Sequence, residues 1–516
     1  MKRLIALLLL AAGLGPAVAD PIAEDFGFGS SRLPATRPLL ALLADYETMP
    51  PSNVTGTEAQ WQQYLFRTGS AWSVNNYMIE NSNGRFAYTP AAPQPLRVHM
   101  ANSDTFASIK AANPNWSDNQ VEAEWFGRIV KKAIDDGFPF TNFDTNGDHV
   151  ITTPTELTIL IVQPLSDGTN AGSNRPINDQ SDTANTFKVR GGVPAISHSV
   201  TFATLAHELG HSLIGATYEL YTQRNGFDVG AGMTIMAQTG YGTQGCSSVD
   251  DPVTFQPGTI HFDPWHKMRF GWSRPRLVNM RSGGYFTIPV ATDGSPAAPL
   301  LLYDPLKGNN EFLLVEFRSR NRPGKNHDVS FAQQNVNNGG VGEGMVIWQI
   351  ATQPNHSLLV TSLPGFMPGD PALLPPAGAA PYSSSILCRC PGDLNAVFNR
   401  PWLSGSTTPP LRWFDGTSTS TRIHVRPFGT GAFSIDVEIL TDYETWVGFS
   451  YPGLPLLPEA GTFDFPYNTF LEGRTAVGYG GHLRIKSGQT AETVTNLDKP
   501  MTIHAEGGPV TIGRQP

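Results

Sequence analysis

His207-Glu208-Leu209-Gly210-His211 sets two histidines four residues apart around a glutamate. On a helix this spacing brings the imidazoles to within about 40° of each other, so both reach one zinc ion. Glu208 then falls on a flanking face, where a carboxylate can take a proton from a metal-activated water without itself being a ligand. The chemistry implied is peptide hydrolysis with His207 and His211 as metal ligands and Glu208 as general base. The alternative is a chance motif on a core helix.

The surrounding residues predict the helix that this geometry needs. Ser199 can cap it, and Phe202, Leu205, Leu209 and Leu213 form one apolar stripe facing away from the histidines. Upstream, Leu39 to Asp45 reads as a buried strand, Ser73 to Glu80 as a short helix, and Asn83-Gly84 as a turn into an alternating strand, Arg85 to Tyr88. A longer amphipathic helix is expected from Asp118 to Ala133, capped by Ser117, with Val121, Trp125, Ile129 and Val130 inward. The apolar strand Leu157 to Val162 follows, then an Asn-, Asp- and Gly-rich loop from Ser166 to Asp182. Beyond the motif, Gly230 to Ala237 reads as a tight turn holding Met236, and His261 to Gly271 as a helix.

A second metal signal precedes the motif. Asp144-Thr145-Asn146-Gly147-Asp148 puts oxygen side chains at alternate positions, as in a calcium loop, with Ile151 at the apolar eighth position. Glu156 would close it, one residue later than usual, and His149 stands where glycine normally permits the turn. A solvated Asx-rich turn is the competing reading.

Lys2 and Arg3, the apolar run Leu4 to Ala12 and the small residues Ala17-Val18-Ala19 before Asp20 have the form of a secretory signal peptide. The run is too short to span a bilayer, so a secreted, extracellular protein with no membrane span is expected. The formal charge of −9 becomes −11 once Lys2 and Arg3 leave with that segment, which gives no basic field for nucleic acid. Three cysteines, Cys246, Cys388 and Cys390, allow at most one bridge, which is sterically easier from Cys246 than between the other two. No long propeptide and no cysteine lie between Asp20 and Leu39, so signal-peptide removal alone is expected to give the active form.

After about residue 280 the composition turns to strands: Tyr285 to Val290, Phe312 to Phe317, Met345 to Ile350, Thr421 to Val425 and Phe433 to Ile439. They suggest a β-sandwich interrupted by the Pro-rich stretch Pro354 to Pro381. Short strands at Leu483 to Lys486, Met501 to Ala505 and Val510 to Ile512 resemble the opening coils of a parallel β-helix, with a glycan- or surface-binding role by analogy.

The motif, the Met236 turn and the stretch Pro264-Trp265-His266-Lys267-Met268-Arg269-Phe270-Gly271-Trp272 together resemble secreted immune-inhibitor-A-type metallopeptidases, from about Arg37 through Ile439. Ser73 to Ala87, Glu311 to Glu316 and Gly342 to Ile350 look like that family's substrate-cleft strand and post-catalytic β-domain. The resemblance implies an α+β chain with a metzincin-like zinc endopeptidase domain, often calcium-stabilised, acting on protein or peptide substrates. The expected organisation is a signal peptide 1–19, an N-terminal segment 20–36, a catalytic domain 37–279, a β-sandwich 280–440 with an insertion 353–411, and a β-helix-like tail 441–516.

One departure from the family stands out. Ile214 occupies the position of the glycine that turns the chain towards a third ligand, Gly215 comes one residue late, and the following run aligns only with an insertion. Glu219 stands where the family has an acid and is the expected third zinc ligand, with Asp228 and Tyr218 as alternatives. Tyr241 or Gln238 can stabilise an oxyanion. Two other functions remain open: a non-catalytic extracellular zincin-like protein binding glycan or matrix, and a zinc amidase acting on a non-protein amide.

Overall fold

The strand Thr36–Tyr46 (β1) is apolar at successive positions from Pro38 to Ala44, which suits a strand covered on both faces. Its alternate residues divide between two cores: Leu39, Ala41 and Leu43 enter one, and Leu40, Leu42, Ala44 and Tyr46 the other. In the computed structural model β1 lies inside a seven-stranded, mainly parallel sheet. The structure describes residues 21–48, 56–68, 73–164, 172–197, 202–214, 223–224, 227–228, 234–236, 260–290, 299–320, 342–352, 354, 386–388, 401–413, 417–452, 459–493 and 496–513. Over these the chain is a mixed α/β protein, with this sheet followed by several smaller β sheets.

Parallel to β1 run Ala87–Pro90 (β2) and Leu96–Met100 (β3) on one side and Thr158–Gln163 (β5) on the other. Between them in sequence lie helices α1 (Glu58–Phe66), α2 (Val74–Ser82), α3 (Phe106–Ala112) and α4 (Asp118–Asp135), and strand β4 (Val150–Thr153). Helix starts follow capping chemistry: Ser73 accepts from the Asn76 amide, and Ser117 and Gln120 form a reciprocal capping box. Helix α2 ends at Asn83 and Gly84, both with positive φ, and α4 buries Val121, Trp125, Ile129 and Val130 against one sheet face.

The loop expected from Ser166 to Asp182 is corrected by the structure. Residues Gly172–Ser181 form β6, antiparallel to β7 (Lys188–Ser197), which in turn runs parallel to β4 and β5. Polar residues with low strand propensity are held there by ladder pairing and by Ile177, buried in the α4-side core. The motif helix α5 (Phe202–Ile214) lies on the opposite face, in the core that also takes Trp61, Tyr64, Tyr77 and Met78. Ser199, its expected cap, lies outside the described residues.

Short paired segments Gln223–Arg224 (β8) and Phe227–Asp228 (β9) and helix α6 (Pro264–Arg269) lead to a five-stranded sheet. Its strands are β10 (Arg276–Asn279), β12 (Leu300–Tyr303), β13 (Glu311–Ser319), β14 (Glu343–Ala351) and β15 (Ile386–Cys388). A three-stranded sheet of β11 (Gly284–Pro289), β17 (Ser434–Thr441) and β16 (Thr421–Val425) packs on one face, and Leu313, Val315, Ile347, Ile423 and Val437 share that core. The other face sends Phe312, Leu314, Val346, Trp348 and Ile350 into the core of the motif helix, so the sheet is a wall between two cores. Within the stretch 353–411, Ile386–Cys388 is the edge strand of this sheet, and Trp402, bridged to Met345, and Leu411 are buried in the core shared with the three-stranded sheet. Cys388 stands opposite Trp348 on that ladder; Cys246 and Cys390 lie outside the described residues.

The tail is a three-stranded parallel sheet, β18 (Glu444–Val447), β19 (His482–Thr490) and β20 (Thr502–Ile512), with helix α7 (Phe470–Ala476) over a small core. It is fastened to the preceding sheets by Tyr443, whose hydroxyl donates to Asp304 at 2.9 Å, and by the Tyr479 amide on the Ser282 carbonyl at 2.7 Å. Among the described residues no helix is long and apolar enough to cross a membrane.

Candidate metal centre

The apolar stripe fixes the roll of α5. Phe202, Leu205, Leu209 and Leu213 are buried, and the histidine side of the helix meets the turn Thr234-Ile235-Met236. Gly210 is required at that contact: a Cβ there would come within 2.6 Å of Met236 Sδ and 3.2 Å of the Phe262 ring. His207, Glu208 and His211 are 4%, 7% and 3% exposed, so the centre is largely screened from bulk water.

His207 Nδ1 lies 2.7 Å from the Ile235 carbonyl oxygen. A carbonyl can only accept, so the proton is on Nδ1 and Nε2 carries the lone pair that a metal can take. That Nε2 stands 3.1 Å from His211 Nε2, with the rings nearly perpendicular at 85°. Two nitrogen ligands about 2.0–2.1 Å from a tetrahedral zinc are roughly 3.3 Å apart, so the pair needs only a few tenths of an ångström of adjustment. The donor set and its spacing therefore fit zinc. A carbonyl behind one imidazole is also the support that orients metal-binding histidines.

The support continues downward. The Ile235 amide donates to the His261 carbonyl at 3.1 Å, and Thr234 Oγ1 donates to Asp263 Oδ2 at 3.0 Å. Asp263 also caps α6 through the His266 amide at 3.1 Å and accepts from His266 Nδ1 at 2.6 Å. Burial pushes the Asp263 carboxyl up, but His266 beside it and these hydrogen bonds outweigh that and leave it below its usual value. At the other end of α5, buried Arg37 donates to the Ser212 carbonyl at 2.9 Å, a cation at the negative end of the helix. Ser212 Oγ donates to the Leu209 carbonyl at 2.6 Å, leaving it to accept from the Tyr88 hydroxyl at 2.9 Å.

Beside the turn lies a buried charged cluster that the sequence reading did not single out. His261 Nε2 is 3.1 Å from Glu80 Oε1, and its Nδ1 is 3.3 Å from Lys267 Nζ. Only the neutral tautomer with its proton on Nε2 satisfies both neighbours. Burial first, and then the Lys267 charge, hold the His261 pKa well below the usual histidine value, against the opposing pull of Glu80.

Of the remaining candidates, Glu219, Tyr218, Gln238 and Tyr241 lie outside the described residues. Asp228 is on β9, its backbone paired with Gln223. Among the described residues no group of three or more His, Cys, Asp or Glu side chains is gathered for a metal. In the Asp144 loop, Asp144 Oδ1 and Oδ2 accept from the Gly147 and His149 amides at 2.8 and 2.9 Å. Asn146 Oδ1 accepts from Asp148 N at 2.9 Å, and Asp148 Oδ1 from Val150 N at 2.8 Å. Glu156 closes the loop: its Oε1 accepts from Thr145 N at 2.9 Å and its Oε2 from Thr152 N at 2.8 Å. His149 takes the left-handed conformation, φ 61°, at the place where glycine is usual.

Asp263, Thr234 and the Ile235 carbonyl form the support that sequence reasoning missed. Asp263 before Pro264 is a legible helix start, but nothing in the spacing names Thr234 as its second partner. Compared with models of known protein families and with curated proteins, the chain matches none.

Proposed function

We propose that the chain is a secreted zinc-dependent endopeptidase with a metzincin-like catalytic unit. The observation that carries this reading is the 3.1 Å approach of His207 Nε2 to His211 Nε2, with His207 Nδ1 committed to the Ile235 carbonyl. A histidine pair held only for packing has no need of two Nε2 atoms turned towards each other beside a nearly buried glutamate. Further support comes from the Met236 turn beneath Gly210 and from β6, which among the described residues pairs only with β7. The other edge of β6 can take an extended peptide as an added strand.

When bound, zinc supplies a Lewis acid that polarises the scissile carbonyl and acidifies water. His207 and His211 would hold it, with Glu219 as the third protein ligand. Glu208 removes the proton of the attacking water and returns it to the leaving amine, and low exposure strengthens each of these charge interactions. Calcium at Asp144, Asn146 and Asp148, with Glu156 closing the loop, belongs to the same reading.

Metal content and casein hydrolysis, measured on one preparation with Glu208→Gln alongside, test it. The expected result is about one zinc per chain, with turnover falling about 10²–10⁴-fold in the variant while zinc is retained. Zinc without casein cleavage, but with release of a non-protein amide, would reassign the site to an amidase. Parent-rate cleavage by Glu208→Gln would overturn the role of Glu208.

A further inference from the structure

On the far side of the aromatic layer under the motif helix lies a pocket of about 570 Å³, within the range of small-molecule sites. Three arginines line it, Arg32, Arg85 and Arg274, with the rings of Phe28, Phe270 and Trp272 as walls. It shares no lining residue with the histidine pair, although Trp272 packs 5.9 Å from Phe262, the ring under Gly210.

The pocket is held rigidly. Gly29 N and Ser31 N donate to the Met268 and Arg269 carbonyls, each at 3.0 Å, strapping the N-terminal segment across the end of α6. Arg85 Nη1 is anchored on the Gly271 carbonyl at 3.1 Å and also on that of Trp272. Arg274 is paired with Glu24 at 2.5 and 2.7 Å and lies 4.8 Å above the Phe28 ring. Gly271 has φ 75°, and a Cβ there would stand 3.3 Å from Arg32 Nε, so the missing side chain leaves room for that guanidinium. Among the described residues Arg32 has no carboxylate at ion-pair distance, although Glu24 feels its charge. Three guanidiniums against the single paired carboxylate of Glu24 leave an excess of positive charge on a chain whose overall charge is −9.

We propose that this pocket binds a small carboxylate carried on an apolar or aromatic body. The guanidinium fork of Arg32 matches a carboxylate in two parallel hydrogen bonds, Arg85 and Arg274 add charge, and the rings take the apolar part. The inference is independent of the metallopeptidase reading.

Calorimetric titration of the full chain with 3-phenylpropionate and with 3-phenylpropionamide tests it. The acid binds saturably at one site per chain, and the amide at least about tenfold more weakly, since a charge-assisted hydrogen bond is lost. Arg32→Gln, on an exposed side chain, weakens acid binding by about tenfold without lowering the melting temperature. A Gly-Gly-Phe tripeptide with a free terminus, titrated against its amide on the Glu208→Gln form, distinguishes the source. Tighter binding than phenylpropionate assigns the site to peptide ends, and weaker binding assigns it to free acids. Equal affinity for acid and amide, unchanged affinity in Arg32→Gln, or full displacement of the acid by equimolar inorganic phosphate overturns the proposal.

Discussion

The two candidate metal sites differ in what their donor atoms already do. At the motif helix, His207 spends one ring nitrogen on Ile235 and turns the other towards His211 Nε2, at a spacing that a cation can bridge. In the Asp144 loop each carboxylate oxygen that faces the turn already accepts a loop amide, and Glu156 is engaged at both oxygens. On the proposed reading the first arrangement would gain its bonding from a metal. The second holds its shape through its own amides, and a cation there would add to a loop that is already folded. Removing metal should therefore disable the first site and barely move the second.

The comparison is broken most sharply at Asp263. Asp263→Asn can keep an oxygen on the His266 amide but turns an NH₂ towards Thr234 Oγ1 and His266 Nδ1, both donors. The turn bearing the Ile235 carbonyl then loses its fastening, and zinc affinity should fall about 10–100-fold, as for other supports behind metal-bound histidines. Competition against a chelator checks this, with far-UV circular dichroism to show that the fold persists. Unchanged affinity in a folded variant would break the link from Asp263 to His207.

A smaller effect is expected from pH. The folded His261 pKa lies well below 6.5, so between the two values the unfolded chain binds a proton that the folded chain does not. Its contribution is intact above pH 6.5 and stability falls as pH drops below that. His261→Gln, which can donate to Glu80 and accept from Lys267, should flatten the acid limb of the melting temperature between about pH 6.5 and 5. An unchanged acid limb would mean that other groups control acid unfolding.

Legibility in the sequence followed the range of the interactions involved. The motif helix, α2, α4 and β1 were readable because periodicity, Ser73, Ser117 and Asn83-Gly84 are local signals. Strand β6 was not, because Asn174, Asn178 and Asp179 argue for a loop and only the pairing of their strand with β7, which runs from Gly172 opposite Ile196 to Ser181 opposite Lys188, overrides them. The strands β13 and β14 were legible as strands, yet their alternate residues serve two cores, a division set by what packs on each face. At the site, spacing named His207, Glu208 and His211, whereas Thr234 and Asp263 meet only through the fold, across 29 residues.

The mildest perturbation tests the loop. His149 holds φ 61°, a conformation costing an L-residue about 1–2 kcal/mol, while glycine there costs roughly 0.5–1 kcal/mol of extra chain entropy. His149 N still donates to Asp144 Oδ2, a bond that glycine keeps. His149→Gly should therefore be neutral to stabilising by up to about 1 kcal/mol in calcium-free buffer, read as the urea midpoint at constant slope. If the loop is self-supporting, chelator shifts that midpoint little in either form. A large calcium-dependent shift would make the loop a second metal-dependent element and erase the contrast with the histidine pair.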